Sequence, residues 1–409
     1  MANKVLIDLM PLREHRDFRC LFLGQLISMI GSQFTMVAVG FQVYALTGSS
    51  FQVGAVSMAQ LVPLILGSLV GGTVGDAKDR RRVLAVSSLV LALTSGALAL
   101  NASTGHASLV VIYVVTSCAA AFGGLVSTTC GAAIPALIRA DQLTAGYASM
   151  QVVDQVGMVA GPALAGLLIE AAGVAWAYGL DALTFVFSTA TVLAMSALPP
   201  GAPGERPSLS SVADGFRHIR ASQVLQGVFL VDLCATVFGL PTALFPELAG
   251  SVFHRGPSVL GYLYAAPAAG ALVGALTTGW VGRIRHPAWA VTTAVCAWGG
   301  VIVAFGFVKM LWAALLLLAL AGWADVGSAV LRDTVLQLSV PDRFRSRATS
   351  VQMAVVEGGP RLGALESGAV AALTSAQFSI VSGGLACIVG ALAVAGFLPG
   401  WRKVEPGSA

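Results

Sequence analysis

The sequence predicts an all-α integral membrane protein of twelve transmembrane helices, built as two parallel six-helix repeats. Three observations predict it. The chain has 409 residues, of which 56% are hydrophobic and 10% charged, whereas a soluble domain is about half apolar and one quarter charged. Its Lys and Arg gather in alternate loops. Two stretches half a chain apart repeat one another.

The apolar residues fall in blocks of about 20, the length that crosses the bilayer core as helix. The blocks lie at about 18–46, 52–74, 83–101, 108–137, 145–171, 177–198, 222–249, 258–281, 289–308, 311–338, 347–373 and 377–398. The first, from Phe18 to Leu46, is too long for a signal-peptide core and reads as an uncleaved span. Before it stand Lys4, Arg13, Arg16 and Arg19. Between the second and third blocks "GGTVGDAKDRRR", Gly71–Arg82, packs six charged residues into the seven positions from Asp76 to Arg82. Further basic residues recur at Arg139, Arg206, Arg217, Arg220, Arg283, Arg285, Arg343, Arg345, Arg347, Arg402 and Lys403, while only Arg255 and Lys309 fall in the alternate loops. Basic residues collect on the cytoplasmic side, so both termini are expected inside and the number of spans is even. The basic residues are then topology signals and not a nucleic-acid surface.

The opposite loops are short, such as "TGSS" at 47–50 and "NASTGHAS" at 101–108. After the sixth block, 199–221 begins as a Pro/Gly-rich linker. From Ser210 to Ala221 it reads as an amphipathic helix on the cytoplasmic membrane surface, with Val212, Phe216 and Ile219 on one side. Residues 5–17 read the same way. The linker divides the chain into a half over 1–198 and a half over 222–409. "PLILGSLVGG" from Pro63 and "PAAGALVGA" from Pro267 match, with Gly71 and Gly274 at an offset of 203. Asp141, Ser149 and Gln151 match Asp342, Ser350 and Gln352 at an offset of 201. Parallel six-span repeats are related by an axis along the membrane normal.

Several chemistries have no carrier in the sequence. The cysteines Cys20, Cys118, Cys130, Cys234, Cys296 and Cys387 are scattered and form no CxxC, so neither a disulfide framework nor a metal site is expected. No Walker A sequence occurs, so ATP is not the expected direct energy source, and no hydrolase triad or zinc-protease pattern marks an enzyme. No cofactor is expected. All five His fall in loops or surface helices, which argues against a histidine proton relay.

Ionisable residues inside spans are costly and are functional candidates by default. Asp154, Asp181, Asp232, Asp325, Glu357, Arg361 and Glu366 all fall there, and Arg332 and Asp333 lie near the inner end of span ten. Asp325, Ser328 and Arg332 stand at i, i+3 and i+7, on one helix face. Glu357 and Arg361 are four apart and can pair across Pro360. A low-dielectric surround disfavours the charged form of a carboxyl group, so one carboxylate is expected to carry a coupling proton. The candidates, in order, are Asp154, Glu366 and Asp232. The alternative is that these groups are structural ion pairs, which is the reading for Arg332, Glu357 and Arg361.

Two motifs remain. In the charged knot, Gly71, Gly72 and Gly75 let helix ends approach closely, Asp76 ends span two, and Arg80, Arg81 and Arg82 start span three. In span five "GMVAGPALAG" sets Gly157, Gly161, Pro162 and Gly166 at spacings suited to close packing, with a proline kink.

The knot resembles motif A of the major facilitator superfamily. That resemblance implies a gating loop that clasps the other half, with Asp76 beside a helix N-terminus of span eleven. Ala77 and Asp79 depart from the usual residues there, and the second half keeps only "GWVGRIRH" at 279–286. The span-five stretch resembles the Gly-Pro motif of the superfamily's antiporting exporters, with Ala165 replacing one glycine. Within the superfamily the chain resembles the siderophore (enterobactin) exporter branch. The resemblance is carried by "PLREHRDFR" at 11–19, "LTGSSFQVG" at 46–54, "GVAWAYGL" at 173–180, "PDRFRSR" at 341–347 and, most specifically, "GYLYAAPAAGALVGALTTG" at 261–279. It implies proton-coupled export of a small molecule by alternating access in the cytoplasmic membrane, by a monomer, with no nucleotide. It also implies a cavity lined by spans one, four, seven and ten, where Gln25, Ser28, Gln33, Asp232, Phe238, Asp325 and Ser328 are the candidate liners. A siderophore is the expected cargo. Alternatives are a multidrug or macrolide efflux pump and, more remotely, a non-transporting receptor or lipid-handling protein. Asp154 bears on the choice, since a polyanionic catecholate prefers cations around it.

Overall fold

The computed structural model describes residues 10–199, 220, 222–277, 284, 286–340 and 342–402, without the side chains of Asp76, 337–339, 342–350 and Met353. The amphipathic helix expected over 210–221 lies outside these residues apart from Arg220, as does nearly all of "GWVGRIRH". Of the N-terminal helix expected over 5–17, α1 (Met10–Glu14) is described. The described residues hold helices and no strand.

The chain forms two units. One comprises residues up to Gln42 together with Ala59 onward through Leu193, and the other Val43–Met58 together with Gln223 onward. The short segment 43–58, at the outer hairpin of the first two spans, thus belongs by its contacts with the second unit. Eleven helices among the described residues are long and apolar enough to cross a membrane.

The first half of the chain forms α2 (Arg16–Thr47), α3 (Ser50–Ala59), α4 (Leu61–Ala77), α5 (Arg80–Ser103), α6 (Leu109–Leu137), α7 (Leu143–Ala172) and α8 (Val174–Leu193), of which the end of α2 from Val43 and α3 up to Met58 group with the second unit and the rest make up the first. Pro63 cannot donate to the carbonyl four residues before it. That carbonyl, of Ala59, accepts the Ser117 hydroxyl of α6 at 3.4 Å instead. Helix α4 packs on α6, and α5 on α8 and α6. A Cβ added to Gly67 would overlap the backbone carbonyl of Ala121, so only glycine admits this α4–α6 approach. Helices α7 and α8 are joined by Gly173 alone, at φ +89°, a conformation that glycine adopts without steric cost. Phe18, Leu21, Leu84, Ile134, Leu137 and Val192 form a dry core at the start of α2, α5 and the ends of α6 and α8.

The second unit contains α9 (Gln223–Phe238), α10 (Pro257–Thr277), α11 (Pro287–Phe305), α12 (Leu311–Ser339), α13 (Asp342–Leu373), α14 (Ala376–Phe397) and α15 (Pro399–Arg402). Here α10 packs on α12, and α11 on α14 and α12. A Cβ on Gly270 would overlap the carbonyl of Ala319, so the matched "GALVG" stretch meets its neighbour as "GSLVG" does in the first unit. The span expected over 222–249 is interrupted at Gly239–Pro241 and resumes as short helical turns to Val252. Polar side chains satisfy the freed carbonyls. The Trp298 indole donates to Gly239 O at 2.8 Å and Tyr264 Oη to Thr242 O at 3.2 Å. Helix α13 stands apart from the eleven candidates. It has 32 residues, but Glu357, Arg361 and Glu366 make it less apolar. At the C-terminal end Trp401 is fully buried, its indole 3.3 Å from Thr292 Oγ1.

Candidate functional site

In the second unit the residues of α9 and α12 build an ionic constellation. Asp232 is on α9, three helical turns in, and α12 presents Asp325, Ser328 and Arg332 on one face, as their spacing requires. Arg332 Nη2 lies 3.0 Å from Asp232 Oδ1 and 3.7 Å from Asp325 Oδ1, and Nη1 donates to Ser328 Oγ at 2.9 Å. The Arg332 and Asp232 side chains are only 9% and 7% exposed, whereas Asp325 is 39% exposed. Asp232 Oδ1 faces the guanidinium off the hydrogen-bond direction, so Coulomb attraction rather than a directed bond holds this pair. Guanidinium does not deprotonate in proteins. With both carboxylates ionised, the group therefore carries one net negative charge, with Arg332 and Asp232 buried and Asp325 at its more exposed edge. A proton can cancel that charge and leave Arg332 with a partner.

The α9 face next to this group is held close by α13. A Cβ on Gly359 would lie 2.7 Å from Thr236 Cβ, and one on Gly363 2.6 Å from Val237 O. Arg361 and Glu357 pair on α13 at 3.0 Å, although Pro360 lies between them. Glu366, on the same helix, is half-buried, and Phe238 is half-buried near the end of α9.

In the first unit, Asp154 is exposed on α7. Gly157, Gly161, Pro162 and Gly166 are buried, and Gly157 and Gly161 face α2 at Met29 and Gln33. A Cβ on Gly161 would meet Gln33 Cβ at 2.5 Å, so Gln33 packs on the glycine–proline stretch. Ser28 is buried and its hydroxyl turns back to Gln25 O at 3.3 Å. The structure thus draws Asp232, Asp325, Ser328 and Arg332 together, whereas Asp154 and Glu366 stand apart within their own units.

The charged knot is a brace within the first unit. Arg80 Nε and Nη1 donate to Gly75 O at 3.1 Å and Ala132 O at 2.9 Å, and Arg81 donates to Leu193 O. Guanidinium donors there reach the carbonyls of Gly75 and Leu193 in the last turns of α4 and α8, where the helix leaves them unpaired, and add a second donor at Ala132 O of α6. Gly72 is half-buried on α4 and Arg82 is exposed. Asp79 does what the sequence reading missed. Its Oδ1 accepts Arg81 N and Leu198 N, each at 3.0 Å, which caps α5 and ties down the chain after α8. The signal was present, because an Asp directly before a helix is a strong N-cap.

A family model described as transmembrane secretion effector matches residues 7–405. The chain belongs to this family, a branch of the major facilitator transporters. The enterobactin exporter EntS of Escherichia coli O81 is 30% identical over 384 residues, which cover 94% of this chain and 92% of the relative. EntS of Shigella boydii serotype 18 matches to the same extent. Among solved structures, the nucleoside transporter NupG superposes with a TM-score of 0.74 at 14% identity, covering 95% of this chain and 100% of that one. A bacterial homologue of the human lysosomal transporter Spinster, inward-facing and unoccupied, gives 0.76 at 14%, covering 96% and 98%. These two likenesses establish the fold. The protein is therefore a multi-pass membrane transporter of the major facilitator type.

Proposed function

We propose that this chain exports a small molecule from the cytoplasm in exchange for protons, by alternating access, with a siderophore of the enterobactin kind as cargo. The cargo reading rests on the end-to-end likeness to EntS. One observation carries the coupling: Asp232 and Asp325 share the single guanidinium of Arg332. Asp232, closer and more buried, remains the partner of Arg332. Asp325, farther away and partly exposed, takes up and releases the proton. Its protonation removes the net charge that would oppose passage of the site through a closed, low-dielectric state. In this reading α13 is a twelfth crossing, both termini are cytoplasmic, and the monomer works without nucleotide. The paired packings α4–α6 with α10–α12, and α5–α8 with α11–α14, support two six-helix repeats. Gly72, Asp76 and Arg80–Arg82 serve as the gating loop.

The test is proton-driven uptake into inverted vesicles. Asp325→Asn should lower gradient-driven accumulation by about tenfold, which is what one pH unit supplies per coupled proton. Asp154→Asn and Glu366→Gln, run beside it, should retain accumulation. Loss in either of those with normal Asp325→Asn would move the coupling proton away from this group. For cargo, an iron-limited deletion strain should retain catecholate siderophore inside. Normal secretion together with drug hypersensitivity would make the protein a drug pump.

A further inference from the structure

A second carboxyl group, in the first unit, takes no part in the constellation above. Asp181 of α8 is 1% exposed. Among the described residues its side-chain partners are hydroxyls alone. Thr35 Oγ1 of α2 and Ser95 Oγ of α5 each donate to Oδ2 at 2.6 Å. Oδ1 has only Thr184 Oγ1, at 3.4 Å, and that hydroxyl already donates to Asp181 O at 2.7 Å. The shorter bond of the Thr184 hydroxyl is to the backbone, so Oδ1 receives at most a long, shared donation from it.

An ionised carboxylate sealed from water needs a cation or a full set of donors, and otherwise neutralises. Oδ1 lacks both. A proton on Oδ1, directed at Thr184 Oγ1, completes the network. The space decides against a larger ion. A Cβ on Gly31 of α2 would stand 2.7 Å from Oδ1 and overlap the Thr184 hydroxyl, so no room for even one carbon remains there. The surrounding elements bring no compensating charge. The charged residues of α2 are Arg16, Asp17 and Arg19, and those of α5 are Arg80, Arg81 and Arg82. All stand at the helix starts, at least about 20 Å along the axis from Thr35 and Ser95 at 1.5 Å per residue. On α7, Asp154 and Glu170 are exposed. On α8 itself Tyr178 gives its hydroxyl to Gln42 at 2.8 Å.

We infer that Asp181 is a second proton-binding site, loaded in this conformation, whose exchange with water requires α2 to move off α5 and α8. The two bonds at Oδ2 serve the acid and the carboxylate alike, so the group can change protonation without losing them. The glycine that seals Oδ1 and the threonine that donates to Oδ2 are both on α2. Occupancy of the site and the position of α2 are thereby tied. The inference rests on the proton-coupled reading for its role in transport, but the state of Asp181 can be tested without cargo.

Infrared difference spectra of the full-length protein in lipid should contain a protonated-carboxyl C=O band that Asp181→Asn removes and Asp325→Asn keeps. Ser95→Ala and Thr35→Val should shift that band to higher frequency, since each takes a hydrogen bond from the C=O oxygen. Asn reproduces the neutral acid, with its amide facing Thr184, so Asp181→Asn should keep the thermal midpoint of the wild type while gradient-driven accumulation falls by about tenfold. No band lost in Asp181→Asn, or undiminished accumulation in that variant, would overturn the inference. Wild-type vesicles without proton-driven flux would instead defeat the exporter reading, and the band would still decide the state of Asp181.

Discussion

Asp79 shows how much one side chain can hold at a helix start. It caps α5, accepts the amide of Leu198 beyond α8 and lies 3.9 Å from Arg82. The Arg82 side chain is 86% exposed, so that pair contributes little, and the two backbone amides carry the effect. Asp79→Ala should destabilise the first unit by about 1–3 kcal/mol, read as a lower thermal midpoint in detergent. Asp79→Asn, which still caps, should lose much less. Equal midpoints for wild type and Asp79→Ala would remove the residue from the brace. The same scale separates the buried acids. Asp232 sits against a guanidinium and Asp181 among hydroxyls. In one case charge is balanced by an ion pair, and in the other by a proton.

At the scale of elements, the helices are set by where backbones touch. Gly67 and Gly270 each stand against a carbonyl of the facing helix, Ala121 and Ala319. Gly96 on α5 and Gly300 on α11 have nothing within 4 Å of where a Cβ would sit. Gly67→Val or Gly270→Val should force α4 from α6 or α10 from α12 and sharply reduce folded protein in size-exclusion chromatography. Gly96→Ala and Gly300→Ala should keep the protein folded, with up to about 1 kcal/mol gained from helix propensity. Wild-type yields from both valine variants would mean that these helices are not in backbone contact. The break in the seventh span follows the same logic. Pro241 ends regular helix, and Trp298 and Tyr264 accept the task of satisfying carbonyls inside the membrane.

At the scale of the molecule, the placement of Val43–Met58 matters most. Ser50 is buried there and donates to Glu247 Oε2 at 2.5 Å, and within the same unit Gly54 meets the backbone of Ala364 and Gly368 that of Ser50. In a background lacking the six native cysteines, Ser50→Cys should react with a membrane-impermeant maleimide about tenfold or more slowly than Thr104→Cys, because a buried group reacts only through opening. Cargo with a proton gradient should speed the Ser50→Cys reaction. An unreactive Thr104→Cys would reverse the sidedness drawn from the basic loops. Much of this architecture was legible in the chain. Apolar block length and the side on which Lys and Arg collect express transfer free energies that each residue carries by itself. The matched "GSLVG" and "GALVG" stretches likewise marked two places where a glycine meets a facing backbone carbonyl. The carboxylates were another matter. Nothing along the spans tells Asp154, Glu366 and Asp232 apart as proton carriers; through space the constellation forms at Asp232, Asp325 and Arg332, and Asp181 draws its donors from residues 146 and 86 positions away. Sequence alone determined that the chain crosses the membrane many times and carries charges inside its spans. Only the tertiary structure decided which charge meets a guanidinium and which meets hydroxyls, because ion pairing and desolvation depend on distances through space between helices, and those distances are not written along any one helix.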